Sequence, residues 1–269
     1  MKKRIDKRQI SVVIPLYNGE KTIGKVLNAI IHQINPEYIK EIIVVNDGST
    51  DSSKEIVEKV ATDSPLRIRL INTKNGGVSK ARNVGLINAT GNWIALCDSD
   101  DVWLPNKIEH QVSIINRVNS IDFLGGNHVD YDQRFKFRRL HGLKRITVKD
   151  LCLKTLPQTS TAIFKKSIFD KIGGYDENQK YAEDGNFFMK IAANYNYYYD
   201  SKQVVNYGDG KKGFGDSGLS ANIDQMHEGL KKNIREMKQL GYISNLYCMF
   251  SLLIENCKFL RRKLIVKIR

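Results

Sequence analysis

Apolar residues come in short bursts through the first hundred positions: Ile10–Pro15, Glu41–Asn46, Arg67–Asn72 and Trp93–Asp98, each of strand length. Between the bursts the apolar spacing becomes helical. In Lys21–Gln33, residues Ile23, Val26, Leu27, Ile30 and Ile31 share one side, and Ser52–Thr62 and Val78–Ala89 read likewise. Alternation of strand and helix implies right-handed βαβ units on a mainly parallel sheet buried on both faces. Thr50-Asp51-Ser52-Ser53 ahead of Glu55, and Ser79 ahead of Ala81, predict capped helix starts, and Pro105 predicts a helix running through Asn116.

Beyond residue 120 the regular alternation ends. The pattern there predicts a strand at Ser160–Phe164, a helix at Lys166–Ile172 closed by Gly173 and Gly174, and a helix at Asp184–Asn194. Residues 208–218 carry five glycines with Lys211 and Lys212 and read as a loop. Two further helices are expected at Asn222–Leu240 and Ser244–Arg262. The implied organisation is a basic lead at 1–9, a catalytic α/β body at 10–205 split near residue 116, a glycine-rich loop at 206–221, and C-terminal helices with a basic tail at 222–269.

With 269 residues, ordinary hydrophobic content and five prolines, the chain can bury a proper core and shows no low-complexity tract. Its formal charge of +14 attracts polyanions, whether nucleic acid, acidic lipid or phosphorylated substrate, and does not choose among them. The charge crowds the two ends, at Lys2, Lys3, Arg4, Lys7 and Arg8 and at Lys258, Arg261, Arg262, Lys263, Lys267 and Arg269, with a third cluster between Arg134 and Lys149. Cys97, Cys152, Cys248 and Cys257 lack metal or disulfide spacing, which fits a reducing cytosol. Ile10–Pro15 is too short for a signal-peptide core, and Leu246–Ile254 is less than half a membrane span.

Chemistry concentrates where the strands run out. Trp93-Ile94-Ala95-Leu96-Cys97 leads into Asp98-Ser99-Asp100-Asp101, three carboxylates in four residues that a divalent cation or a solvated loop must relieve. An acidic turn capping the next helix is the plain alternative. Asp47 follows the second strand, and Asn75-Gly76-Gly77 precedes the helix carrying Arg82. All of these sit at carboxyl ends of strands, the ligand edge of an open α/β sheet.

These segments, in order and spacing, resemble the amino-terminal half of family 2 glycosyltransferases, inverting enzymes of the GT-A fold, over about residues 10–200. The absence of G-x-G-x-x-G after the first strand disfavours a generic dinucleotide-binding fold. The resemblance implies that Asp47 accepts from the uracil N–H while Pro15 and Tyr17 wall the base; a turn-forming Asp-Gly is the alternative. Gly76 and Gly77 permit close backbone approach to the nucleotide, or simply a tight turn. Arg82 pairs with a phosphate or a loop carboxylate, or is an exposed helix residue. Asp98 and Asp100 form the D-x-D that binds Mn²⁺ or Mg²⁺ and the sugar nucleotide, with Asp100 the expected direct ligand and Asp101 capping the turn before Pro105. Tyr181-Ala182-Glu183-Asp184 matches the E-D motif, in which Asp184 is the general base and Glu183 orients the site.

The pattern also departs from the family. A histidine that many members place before a paired-serine stretch is missing ahead of Ser217-Gly218-Leu219-Ser220, so Asp216 or phosphate oxygens must complete the metal shell; His128 and His141 remain unassigned. The Q-x-x-R-W motif of processive polymer-extruding members is absent, which implies one sugar per encounter. The resemblance implies a UDP-hexose donor, glucose or galactose favoured, and an undecaprenyl-diphosphate-linked glycan acceptor in lipopolysaccharide (O-antigen) synthesis. No nucleic-acid partner is expected. Read as a helix, Cys248–Arg262 lines up Met249, Leu252, Leu253, Cys257 and Leu260 before a cationic patch, either to lie peripherally on the anionic inner face of the cytoplasmic membrane or to pack on the core. Two other functions compete: a non-catalytic polyanion-binding protein on a degenerate transferase scaffold, and a sugar nucleotidyltransferase. The latter lacks the expected Gly-rich triphosphate loop, having Leu16-Tyr17-Asn18-Gly19-Glu20 in its place.

Overall fold

The structure is a computed structural model that describes residues 5–129, 134–135, 138–208 and 219–268. Lys211, Lys212, Asp216 and Ser217 lie outside the described residues, as does part of the basic cluster between Arg134 and Lys149.

The first half follows its hydrophobic pattern closely. β1 (Ile10–Leu16), α1 (Ile23–Ile31), β2 (Ile39–Asp47), α2 (Ser53–Asp63), β3 (Ile68–Thr73), α3 (Val78–Asn88) and β4 (Trp93–Leu96) alternate as expected. Then come β5 (Val102–Trp103), α4 (Lys107–Arg117), β6 (Phe123–Asn127), β7 (Arg134–Phe135), β8 (Arg138–Arg139), β9 (Leu143–Arg145) and α5 (Val148–Leu153). After these, β10 (Ile163–Lys165), α6 (Lys166–Ile172), α7 (Glu183–Asn194), β11 (Tyr197–Gln203) and β12 (Val205–Asn206) precede α8 (Ile223–Gln239) and α9 (Asn245–Ile268).

Among the described residues the main sheet has eight strands in the order β3-β2-β1-β4-β10-β6-β11-β9. β1 pairs in parallel with β2 and β4, and β2 with β3. β10 runs antiparallel between β4 and β6, so the sheet is parallel from β3 to β4 and mixed beyond it.

Alternate residues of each strand feed two cores, one on each face of the sheet. Val12 and Ile14 of β1 and Ile42 and Val44 of β2 pack with α1 and α4, whereas Val13, Ile43 and Val45 pack with α3 and α7. Gly85 lets α3 lie close on β1, since a Cβ there would fall 2.3 Å from Val13 Cγ1.

Several local readings are corrected. Ser160–Phe164 is a 3₁₀ turn at Thr159–Thr161 followed by the shorter β10. Gly77, with φ 90°, precedes α3 as its N-cap, and Ser79 lies inside the helix. The basic lead is not a free arm from Ile5 onward: Ile5 is buried, and its N–H donates to Asn116 Oδ1 at 2.7 Å.

The C-terminal helices pack on the body. Ile234 and Met237 of α8 and Cys248 of α9 join the core that holds α7. Helix α9 runs six residues beyond the expected end at Arg262 and docks through Cys248, Ser251 and Glu255. Its other side is apolar and open, with Leu246 78 %, Met249 68 %, Leu253 60 %, Leu260 60 % and Ile268 85 % exposed. The packed-helix reading therefore holds for the face that carries Cys248, Ser251 and Glu255. Among the described residues no helix is long and apolar enough to cross a membrane.

Candidate active site

The loops after β1, β2 and β4 meet at one edge because the parallel strands end in register, Leu16 beside Asn46 and Asn46 beside Asn72. Two loops are laced together: Asn18 Oδ1 accepts from Thr50 N at 2.9 Å, and Glu20 N donates to Asp51 Oδ2 at 3.0 Å. Pro15 is buried within β1, and Tyr17 stands 53 % exposed beyond its end. Asp47 closes β2. Its Oδ1 accepts from Gly76 N at 2.9 Å and its Oδ2 from Gly77 N at 2.8 Å, so this carboxylate shapes the glycine turn beside it.

β4 ends at Leu96, and the acidic run follows. Asp98 and Asp100 are half-buried in this loop. Asp101 is fully buried and does not cap the following turn as expected. It accepts from Gln158 Nε2 at 2.6 Å, Ser160 Oγ at 2.5 Å and Gly208 N at 2.8 Å. The polar run Gln158-Thr159-Ser160-Thr161 just ahead of the apolar Ala162-Ile163-Phe164 was the sequence signal for this turn.

Arg82 occupies the centre. Helix α3 points it across the edge, where Nη2 donates to Asp98 Oδ1 at 2.7 Å and Nη1 to Glu183 Oε1 at 2.8 Å. The residue is buried and its guanidinium lies 5.2 Å from the Tyr175 ring centre, which excludes the exposed-helix alternative. Asp184, next to Glu183 at the start of α7, accepts from Gly185 N at 2.7 Å and from Thr159 Oγ1 at 3.3 Å. Asp98, Glu183 and Asp184 thus come together around one arginine.

This crowding shows in the protonation equilibria. Burial, with the charge of Asp184, pushes the Glu183 carboxyl up to about 7 against the pull of Arg82. Burial also raises Asp184; Asp98 adds to the rise, while Arg82, the Gly185 N–H and the Thr159 hydroxyl oppose it. Asp101 is pushed up to about 7 by burial and then by Asp98 and Asp100. Beneath the loop, burial brings Lys107 down to about 7; its Nζ lies 4.4 Å from the Trp103 ring centre. Neither Lys107 nor Tyr175 announced itself in the sequence, because each depends on contacts distant along the chain.

Among the described residues no group of three His, Cys, Asp or Glu is placed to hold a metal. Asp98 and Asp100 nonetheless offer hard oxygens in a region where carboxylates outnumber the single arginine. That donor set fits Mg²⁺ or Mn²⁺, which needs one or two protein carboxylates and completes its octahedron with phosphate oxygens and water. His128 lies tilted against Tyr207, 5.6 Å between ring centres, and burial lowers its basicity.

The sequence profile described as "Glycosyl transferase family 2" matches residues 11–173, more than half of the chain, including the ends of β1, β2, β3 and β4. The chain belongs to glycosyl transferase family 2. It is 31 % identical over 218 residues to an uncharacterised glycosyltransferase of Rickettsia prowazekii, covering 76 % of this chain and 65 % of the relative. It is 35 % identical over 125 residues to WfgD of Escherichia coli, a UDP-Glc:α-D-GlcNAc-diphosphoundecaprenol β-1,3-glucosyltransferase, covering 46 % of this chain and 47 % of that one. The chain spans just under two thirds of the length of the Rickettsia relative. Two solved structures share the GT-A fold. Residues 1–349 of S. aureus TarS in complex with UDP-GlcNAc superpose with TM-score 0.70 at 24 % identity, covering 91 % of this chain and 70 % of that one. The mannosyltransferase PcManGT of Pyrobaculum calidifontis, with GDP-Man and Mn²⁺, gives 0.69 at 18 %, covering 94 % and 74 %.

Proposed function

We propose that this chain moves a single hexose from a UDP-hexose to a lipid-diphosphate-linked glycan, inverting the anomeric centre, at an anionic membrane surface during surface-polysaccharide assembly. The observation that carries the reading is the convergence of Asp98, Glu183 and Asp184 on Arg82, in a family 2 chain whose Asp47 lies at the same sheet edge. WfgD, by its name, takes UDP-glucose and a diphosphoundecaprenol-linked acceptor, which supports glucose as the donor sugar.

Asp47, with Pro15 and Tyr17, receives the uracil ring, and the Gly76 turn brings backbone close to the nucleotide. Asp98 and Asp100 face the diphosphate, with Asp100 the expected metal ligand and Asp98 held by Arg82. A divalent ion bound there neutralises charge on the departing UDP. Asp184 takes the proton from the acceptor hydroxyl as that oxygen attacks the anomeric carbon opposite UDP. Its raised proton affinity makes it a better base than an ordinary aspartate. Glu183, paired with Arg82, sits next to Asp184 at the start of α7 and orients the site.

The net charge favours one second reading. A surface of +14 suits a polyanionic acceptor, and TarS, 29 % identical over 217 residues, covering 72 % of this chain and 36 % of that one, is named a poly(ribitol-phosphate) β-N-acetylglucosaminyltransferase. A panel of radiolabelled UDP-sugars, offered against synthetic diphosphate-lipid glycans and against poly(ribitol phosphate), decides between the two, with the product anomer read by NMR. Transfer of glucose or galactose to the lipid-linked glycan with inversion is the expected result. Retention of configuration, or transfer to neither acceptor, rejects the proposal.

A further inference from the structure

Thr159 and Ser160 are neighbours in one buried 3₁₀ turn, and their hydroxyls go to different halves of the site. Ser160 Oγ donates to Asp101 Oδ2 at 2.5 Å and accepts the Asp98 N–H at 2.8 Å, so one oxygen pins the acidic loop at both ends. Gln158 adds a second bond to that Asp101 oxygen at 2.6 Å and receives the Ser160 N–H on its side-chain Oε1 at 2.8 Å. Thr159 Oγ1 donates instead to Asp184 Oδ2. The turn is anchored on its far side, where Thr161 Oγ1 accepts from Gly126 N at 3.1 Å and Thr161 O accepts from Gln111 Nε2 at 2.7 Å.

We infer that this turn is the positioning element of the transferase site, Ser160 setting the acidic loop on the donor side and Thr159 setting Asp184 on the acceptor side. Buried hydroxyls used as both donor and acceptor have a fixed orientation, and burial keeps water from replacing them. Reacting groups must be held to within about 0.5 Å, and here the two sides are held by adjacent residues of one short, rigid segment. The inference rests on the function proposed above.

Steady-state kinetics separate the two roles. Thr159→Val is isosteric and loses the hydroxyl; it should lower kcat about tenfold, one hydrogen bond's worth, with KM for the UDP-sugar held within about twofold. Thr159→Ser should restore kcat, and Thr159→Ala serves if valine disturbs the turn. Ser160→Ala should raise KM for the UDP-sugar and the Kd for UDP about tenfold while kcat changes less. Asp101→Asn tests the same side if Ser160→Ala does not fold. Parallel loss of kcat and affinity in both variants, or no change in either, overturns the division of roles. Wild-type turnover is measured first: its absence rejects the transferase reading and this inference together, whereas an active wild type with parallel losses rejects this inference alone.

Discussion

Arg82 Nη2 lies 2.7 Å from Asp98 Oδ1, and through that bond helix α3 grips the acidic loop. The other guanidinium nitrogen reaches Glu183 on α7 at 2.8 Å, so a single buried cation ties the first half of the sheet to the second. A planar fork is what allows two carboxylates from different elements to share one charge.

Replacing Arg82 with alanine leaves Glu183 buried without its counter-charge, at a cost of up to about 3–5 kcal/mol at pH well above 7, where the wild-type pair is ionised. The sign follows from linkage. Glu183 already sits at about 7 in the folded protein against 4.5 as its ordinary value, and losing Arg82 raises it further. The variant's deficit should therefore be largest above pH 7 and shrink as acid protonates Glu183. Urea unfolding of Arg82→Ala and wild type at pH 5 and pH 8 measures this; an equal deficit at both would mean that the pair is not electrostatic. Arg82→Lys should recover part of the stability, because it keeps the charge and loses the fork.

Asp184→Asn should lower kcat by about a thousandfold while UDP affinity stays nearly unchanged, since the carboxylate acts on the acceptor side. In the wild type, kcat should rise with pH as Asp184 ionises, and burial places that rise above the ordinary aspartate value of 3.8. Full turnover in the asparagine variant removes Asp184 as the base.

Legibility in the sequence follows the range of the interactions. β1 to β4 are fixed by apolar runs between helical segments, so their order and ends could be read within a few residues. β6 and β11 were missed, because Phe123-Leu124-Gly125-Gly126-Asn127 and Tyr197-Tyr198-Tyr199-Asp200 show neither β-branched runs nor a clean alternation. Gly125 and Gly126 are demanded by distant neighbours, since a Cβ would fall 2.3 Å from Pro157 Cγ at the first and 2.5 Å from Val204 Cγ2 at the second. The positions of Asp47, Asp98 and Asp184 at strand and helix ends were legible from motif and pattern. What Asp101 touches was not, because Gln158 and Gly208 are far from it in the chain and only folding brings them there.

Asp47→Asn removes one acceptor from the pair of N–H groups it holds, so amide exchange at Gly76 or Gly77 should quicken. UDP affinity should fall about 10–100-fold, as for a hydrogen bond to a charged group, and the preference for UDP over CDP should fade. Faster exchange with undiminished UDP selectivity would confine Asp47 to shaping the turn.

Asp100→Ala should abolish the gain in UDP affinity that Mn²⁺ confers and leave metal-free UDP binding as it is. Calorimetric titration of both proteins with UDP, with Mn²⁺ and with chelator, reads this directly. If Mn²⁺ strengthens UDP binding equally in both, Asp100 is not the ligand.

Helix α9 supplies the remaining prediction. Its open face presents Leu246, Met249, Leu253, Leu260, Leu264 and Ile268 along one side, a larger apolar strip than a water-facing helix usually keeps. Arg261 and Lys267 are exposed on the same stretch, where past Glu255 no acidic residue follows along the helix, while Lys263 pairs with Asp224 of α8 at 2.7 Å. Two copies meeting along this strip would bring like charges together, whereas an anionic bilayer offers about 1 kcal/mol for each cation near its surface. Vesicles rich in anionic lipid should therefore pellet the protein, and neutral phosphatidylcholine vesicles should not. Leu253→Glu with Leu260→Glu, on the open face, should abolish pelleting and leave UDP affinity intact. Raising salt should weaken the wild type, because the electrostatic part is screened. Equal pelleting by the double variant, or a concentration-dependent dimer that the substitutions dissolve, would assign the strip to another chain and take membrane attachment out of the proposed function.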